Sequence, residues 1–350
     1  MKVLITGGTG FIGTYFVREL KSKGHEIVVL DLYPAESDDE GLFQDVKFIR
    51  GDVRDPNALR KSIEGCDRVL HLAAAHHDFG IKDATFESVN VEAAQLICDA
   101  MDQVGIKDVC FYSTVAVYGS AQPPLDEMTP PQPASPYGQT KLGGEGVFEK
   151  WTQRGDKRQC LVIRPTVTFG AGNFANMFTL IKQIDKGGYL PVGAGDNIKS
   201  LSYIENILDA TIKMWTDKSG ERPAFEVFNY VCKPDLTSGE IAECIYTALG
   251  KKQPKLRVPY LLARFLALPF DAVIKVTGIN LPISGARIMK LAKAETKFES
   301  EKIRKAGYEQ RVSLREGIQK MVAWYQERGK REGEQGIKRR LPPEQPYVDG

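Results

Sequence analysis

The sequence predicts an α/β fold, a doubly wound parallel sheet with a smaller, mainly helical C-terminal lobe. Two observations carry that expectation. Apolar runs at about residues 46–50, 67–72, 108–113 and 159–164 alternate with helical patterns near 56–62, 84–105 and 137–154, and such alternation places parallel strands beneath helices on both faces. The chain also opens on a strand-like run, Lys2-Val3-Leu4-Ile5, that passes at once into a glycine-rich turn and then a helical pattern.

That turn is Thr6-Gly7-Gly8-Thr9-Gly10-Phe11-Ile12-Gly13. Glycines at 7, 10 and 13 allow a tight strand-to-helix turn, close approach of backbone N–H groups to a pyrophosphate and close helix–sheet packing, while the helix N-terminus favours the anion. A second strand, His25 to Leu30, ends at Asp31, about 20 residues beyond the glycines, where a carboxylate accepts both ribose hydroxyls of NAD. No arginine or lysine occurs in Leu32-Tyr33-Pro34-Ala35-Glu36-Ser37, so a 2′-phosphate would meet only repulsion and NAD is expected over NADP. These features make the sheet Rossmann-type.

The expected division is a nucleotide-binding domain over 1–170, a lobe over 171–328 partly interleaved with it, and a flexible tail over 329–350. Helices are expected at 174–186, 204–217, 237–249 and 313–328, over the C-terminal edge of the sheet where doubly wound folds bind ligands. The tail is polar and proline-containing, which fits a loose segment. The most apolar stretch, Val258 to Val276, contains Arg264, Asp271 and Lys275; it reads as a packed helix pair rather than a membrane contact.

Composition narrows the function classes. A formal net charge of +2, without a basic stripe and interleaved aromatics, argues against nucleic acid. Six cysteines without CxxC pairing read as reduced, buried thiols. The chain starts on a core strand and has no run of ~20 apolar residues, so a soluble cytoplasmic protein without membrane partners is expected. His76 and His77 beside Asp78 are not read as a metal site, because neighbouring histidines on one element do not easily share an ion.

The fifth strand ends in Phe111-Tyr112-Ser113-Thr114-Val115-Ala116, and Tyr137-Gly138-Gln139-Thr140-Lys141 follows. A tyrosine and a lysine four apart share one helix face, so the ammonium is expected to favour the ionised phenol. A phenol near pKa 10 needs such help to act as a base at neutral pH. Thr114 or Ser113 is then placed to hydrogen-bond the same substrate hydroxyl, which suits hydride transfer at a carbinol carbon with a nicotinamide as carrier.

Together these motifs resemble the extended short-chain dehydrogenase/reductase superfamily, specifically its NAD-dependent epimerase/dehydratase branch and the UDP-galactose 4-epimerase-like enzymes within it. The resemblance runs from residue 1 to about 328. It implies Thr114, Tyr137 and Lys141 as catalytic residues, with Tyr137 and Lys141 also touching the cofactor. Gly7, Gly10, Phe11, Ile12, Gly13 and Asp31 would bind NAD, and Asp52-Val53 is similar to the adenine-contacting pair. Leu72-Ala73-Ala74 resembles the strand end that passes the pyrophosphate, His76 falls where a basic residue lies beside the cofactor ribose, and Arg164-Pro165 resembles the strand end bordering the nicotinamide. Asn90 looks like the asparagine of the helix after strand four. The resemblance also implies a homodimer through the helices at 84–105 and 137–154, with Cys98 and Trp151 at that seam or in the core.

Strand five carries Val115 and Ala116 where dehydratase and decarboxylase relatives have acidic residues, which argues against those reactions. For the substrate, Asn176-Met177-Phe178 resembles the helix start that cradles the diphosphate of a UDP-sugar. Gly193-Ala194-Gly195 and Lys199 fall at the family's glycine turn and phosphate clamp, and Arg287 at a second clamp. Two positions depart from that pattern: Lys199 stands for an arginine, giving a point charge instead of a bidentate fork, and Val167 for a substrate-side asparagine. The leading expectation is therefore an NAD-dependent nucleotide-sugar epimerase. An NAD-dependent dehydrogenase or reductase of an apolar alcohol, of the 3β-hydroxysteroid or dihydroflavonol type, is the alternative, and a non-catalytic NAD-binding protein is the third.

Overall fold

The computed structural model describes residues 1–35, 41–77, 80–155, 157–217, 222–277, 285, 289, 294–335 and 341–347. Its centre is a seven-stranded sheet built from β1 (Lys2–Thr6), β2 (Glu26–Asp31), β3 (Lys47–Arg50), β4 (Arg68–His71), β5 (Asp108–Tyr112), β6 (Gln159–Pro165) and a later strand, Phe225–Tyr230. Every pairing is parallel. The order β3-β2-β1-β4-β5-β6 followed by Phe225–Tyr230 reverses direction between β1 and β4, which opens the ligand crevice of a doubly wound sheet at their C-terminal ends.

Both faces of the sheet are buried, so its strands are nearly continuous apolar runs. Val3, Ile5 and Val29 face one core with Phe16, Val17 and Leu20 of α1 (Phe11–Ser22). Leu4, Val28 and Leu30 face the other, against Leu59 of α2 (Pro56–Ile63). A short α3 (Asp83–Glu87) leads to α4 (Ala93–Val104), which adds Ile97 and Met101 to that second core, and α5 (Pro136–Thr152) adds Phe148 and Trp151. Start signals fix α5: Ser135 accepts the Gly138 N–H at 3.1 Å and Pro136 occupies the first turn, satisfying one orphan donor and presetting φ. Cys98 and Trp151 are completely buried, so they belong to the core and not to a seam between copies.

The second half contributes β7 (Val167–Phe169), α6 (Asn176–Asp185), β8 (Ile198–Lys199), β9 (Leu201–Tyr203), α7 (Ile204–Ile212), β10 (the Phe225–Tyr230 strand), β11 (Leu236–Thr237), α8 (Ser238–Ala248) and α9 (Tyr260–Thr277). Helices Glu301–Lys305 and Leu314–Trp324 close it. No helix among the described residues is long and apolar enough to cross a membrane.

β10 lies in the main sheet beside β6, so the second half of the chain adds a strand to the sheet of the first. Three features differ from the sequence reading. The helical pattern at 84–105 is broken by a wider turn at Ser88–Glu92, where the Asn90 side chain turns in to bond backbone instead of continuing a helix face. The stretch from 258 is not a packed pair: α9 is one helix that runs through Pro269 and leaves most of its leucines in solvent. The tail is not loose throughout, since Lys330–Gln335 is helical and Leu341–Tyr347 lies against the sheet's nucleotide end.

Candidate active site

The glycine turn has the geometry of a cradle. Gly7 takes φ +71°, and a Cβ there would sit 2.7 Å from the Ala73 nitrogen; at Gly13 it would lie 2.5 Å from the Gly7 oxygen. Both positions therefore exclude side chains so that β1, β4 and α1 approach closely. At Gly10, by contrast, an added Cβ would meet only the Gly7 oxygen, at 3.3 Å, so this face of the turn is open. Phe11 and Ile12 start α1, and no side chain among the described residues caps its first turn, which leaves N–H groups for an anion.

Asp31 ends β2 as expected. Its Oδ2 accepts the Thr9 N–H at 3.1 Å and the Thr9 hydroxyl at 2.8 Å, while Oδ1 takes a longer contact, 3.4 Å, from the Tyr33 N–H. The carboxylate thus braces the glycine turn from the ribose side. Leu72, Ala73 and Ala74 follow β4; the Thr6 carbonyl accepts the Leu72 N–H at 3.1 Å, and Asn90 holds Ala75 by both its N–H (2.9 Å) and its carbonyl (3.0 Å). These residues fit NAD in shape and chemistry: an open glycine turn, free helix N–H groups and a strand-end carboxylate.

The adenine end differs from expectation. Both Asp52 oxygens are engaged by the buried Arg54 guanidinium, at 2.9 and 2.7 Å, and the Val53 side chain lies in the core. Arg54 in turn donates to the Pro343 carbonyl at 2.8 Å, Lys82 pairs with Glu344 at 2.8 Å, and the Arg50 guanidinium lies 4.9 Å from the centre of the Tyr347 ring. Tyr33 donates to the Leu341 carbonyl at 3.1 Å. Proline leaves the tail no regular structure, so its carbonyls are free to be gathered by Arg54. That contact pairs residues nearly 300 apart and has no local signal.

At the end of β5, Thr114 lies beside Tyr137, and its hydroxyl favours the ionised phenol. Ser113 turns the other way and donates to Glu145, so Thr114 is the hydroxyl facing the tyrosine. The electrostatics reverse the expectation from spacing. Burial pushes the Tyr137 phenol up to about 12, against the neighbouring Thr114 hydroxyl, which pulls it down. Burial also pulls the Lys141 amine down to about 7, against the Glu145 carboxylate. Lys141 lies 4.1 Å from the centre of the Phe111 ring, and among the described residues no hydrogen bond joins it to Tyr137. Desolvation outweighs helix spacing here because an apolar strand face surrounds the pair.

Behind them runs a buried network. Glu145 accepts from Arg164 Nε at 2.9 Å and pairs with its Nη2 at 2.5 Å; Arg164 donates to the Tyr118 hydroxyl at 2.9 Å, and Tyr118 donates to Asn229 at 2.8 Å. This chain ties α5 to β5, β6 and β10 and sets the position of the site. In the sequence Arg164 is marked only by the family resemblance of Arg164-Pro165; its pairing with a glutamate four residues past Lys141 is identifiable only in space. His71 closes the same region. Its Nδ1 bonds Thr6 at 2.7 Å and its ring stacks on Phe111, while burial holds it neutral, pulled down to about 3. Pro165 ends β6 in the buried layer, and His76 is exposed with its Nδ1 3.3 Å from the Ala74 oxygen.

The substrate-side residues are more dispersed. Asn176 is exposed at the start of α6, whereas the Met177 side chain is packed in the core; one residue along a helix turns it inward, which corrects its assignment as a contact. Lys199 donates to the Ala294 carbonyl at 2.6 Å. Val167 stands half-exposed on β7. Arg287, like Asp78, lies outside the described residues. One unforeseen cation is present: Arg257 donates to the Ala194 carbonyl at 2.5 Å, inside the turn Gly193–Gly195.

A sequence model of the NAD dependent epimerase/dehydratase family matches residues 3–229. The N-acetyl-alpha-D-glucosaminyl-diphospho-ditrans,octacis-undecaprenol 4-epimerase of Escherichia coli O157:H7 is 34% identical over 324 residues, covering 92% of this chain and 94% of that protein. A UDP-glucose 4-epimerase of Lactobacillus helveticus is 29% identical over 290 residues, covering 74% of this chain and 84% of that one. Among solved structures, UDP-glucuronic acid 4-epimerase from Bacillus cereus in complex with NAD superposes with a TM-score of 0.72 at 22% identity, covering 93% of this chain and 99% of that chain; at that identity the likeness speaks for the fold.

Proposed function

The chain belongs to the NAD dependent epimerase/dehydratase family, and from that premise we propose that it epimerises a hexose joined to its carrier through a diphosphate, with UDP-hexoses as the soluble form of that substrate. The cofactor is NAD. When bound, it supplies hydride acceptance and return at the carbinol carbon. Tyr137 takes the proton of the sugar hydroxyl and later returns it, while Thr114 holds the phenol and the hydroxyl in one line. Lys141, titrating near neutrality, is the nearby cation that stabilises the phenolate once positive charge and substrate enclose the site. The Glu145–Arg164 pair keeps α5 in register with β5 and β6.

The observation that carries this reading is the Thr114 hydroxyl beside the Tyr137 phenol, set at the sheet edge beside the glycine cradle and beside a buried lysine. The 4-epimerase relatives support it. On the carrier side, Asn176, Lys199 and Arg257 bring polar groups to the diphosphate. The test is an incubation of purified protein, without added cofactor, with UDP-hexoses and with a polyprenyl-diphospho-hexosamine. Epimer formed with no lasting absorbance from reduced nicotinamide, and near-stoichiometric NAD released on denaturation, are expected. Steady NADH production without epimer would replace this reading by one-way oxidation of an alcohol.

A further inference from the structure

We propose that α9, with the basic segment leading into it, is a docking surface for an anionic phospholipid membrane. The helix reverses the usual surface pattern. Among its described side chains the buried ones are two alanines four apart, Ala263 and Ala267, while Leu261 is 78% exposed, Phe265 68%, Leu266 57% and Leu268 52%. A soluble helix buries its large apolar residues and shows its polar ones to water; a contiguous exposed patch of this kind marks an interaction surface.

The patch extends beyond the helix. Val192 pairs with Val258 and the Pro191 carbonyl accepts the Val258 N–H at 2.9 Å, which brings Leu190 and Leu256, 61% and 80% exposed, to one edge. Lys252, Lys255 and Arg264 are exposed around it. The one acid of α9, Asp271, accepts the Gly285 N–H at 2.9 Å. Exposed apolar residues with lysine and arginine in the same segment, on a helix too polar to span a bilayer, describe an element that lies in the headgroup layer. A second copy of the chain is a poorer occupant, because a two-fold contact would face this cationic patch with the same cationic patch.

The patch adjoins the substrate side. The Gly193 N–H donates to the Val258 carbonyl at 3.0 Å, and Arg257 binds the Ala194 carbonyl in the same turn. Docking there puts the carrier-diphosphate side of the site at the lipid surface, and this orientation, though not the docking itself, rests on the proposed function. A sugar diphosphate on a lipid carrier would then reach Tyr137 without leaving the membrane.

The experiment is sedimentation of the purified holoprotein with vesicles of phosphatidylglycerol and phosphatidylethanolamine, or of phosphatidylcholine alone. Binding to the anionic vesicles, weakened by salt, is expected. The triple variant Leu261→Ser, Phe265→Ser, Leu266→Ser should partition at least about tenfold less, with NAD content and melting temperature unchanged. Lys252→Glu with Lys255→Glu, which leaves the helix intact, should weaken binding to anionic vesicles only. Wild-type protein that stays in the supernatant, variants that bind as the parent does, or an oligomer that the triple variant dissolves would each overturn the proposal. No substrate is needed, so vesicle binding without epimerisation would sink the functional reading and leave the docking surface standing, and the converse result would do the opposite.

Discussion

Helices α5 and α9 break the amphipathic rule in opposite directions. In α5 the residues turned inward include a lysine and a glutamate, Lys141 and Glu145, 1% and 3% exposed; in α9 the residues turned outward are leucine and phenylalanine. Each departure costs free energy in the isolated fold, the first through desolvated charge and the second through wetted apolar surface. Local rules are broken where a site needs them broken. The difference between the two lies in what compensates. Arg164 and Ser113 bond Glu145 inside the chain, and Tyr118 bonds Arg164 behind it, whereas the compensation for α9 lies outside it.

The contrast can be broken at either helix. The largest effect is expected at Tyr137→Phe, which should lower turnover by about 10²–10⁴-fold while NAD content on denaturation stays that of the parent; turnover within tenfold would remove Tyr137 from the proton path. Next comes Glu145→Ala. It strands the buried Arg164 cation and should cost about 3–5 kcal/mol in urea unfolding, and a loss below ~1 kcal/mol would mean the network does not position α5.

Lys141→Met should act the other way, raising stability at neutral pH by about 1–3 kcal/mol while abolishing activity. The sign follows from a folded-state value near 7 against an ordinary 10.5. Between those values the unfolded chain binds more protons, so parent stability rises with pH across this window. The advantage of the methionine variant should therefore be greatest at or below pH 7 and fade towards pH ~10.5; a constant gap across that range would show that Lys141 is not charge-penalised. The smallest effect is expected at Phe265→Ser in α9, within about 0.5 kcal/mol by the same urea assay. A loss of several kcal/mol there would place the phenylalanine in a core and erase the contrast.

The cofactor half was legible because its site is made of backbone. Glycines at 7, 10 and 13 and an acid closing the next strand are contiguous signals, and their requirements are steric. That a hydroxyl at the end of β5 would face Tyr137 was legible for a related reason, since the strand and the helix that carry them have clear sequence signals. The charge state was not: helix spacing suggested a phenol eased towards ionisation by its lysine, and the folded protein instead raises the phenol and lowers the amine, because burial depends on Phe111 and the strand layer. The substrate half was read least well. Met177 turned into the core, and Arg257 arrived from a loop some sixty residues past its turn.

What the sequence by itself determined was the parallel sheet, the glycine cradle and the Tyr137–Lys141 helix, since each depends on periodicity or on the absence of a Cβ within a few residues. Only the tertiary structure decided which hydroxyl faces Tyr137, which cations and carboxylates share a desolvated space, where Leu341–Tyr347 lies and which face of α9 meets water. Those are set by long-range packing and by the local dielectric, and neither exists until distant segments have come together.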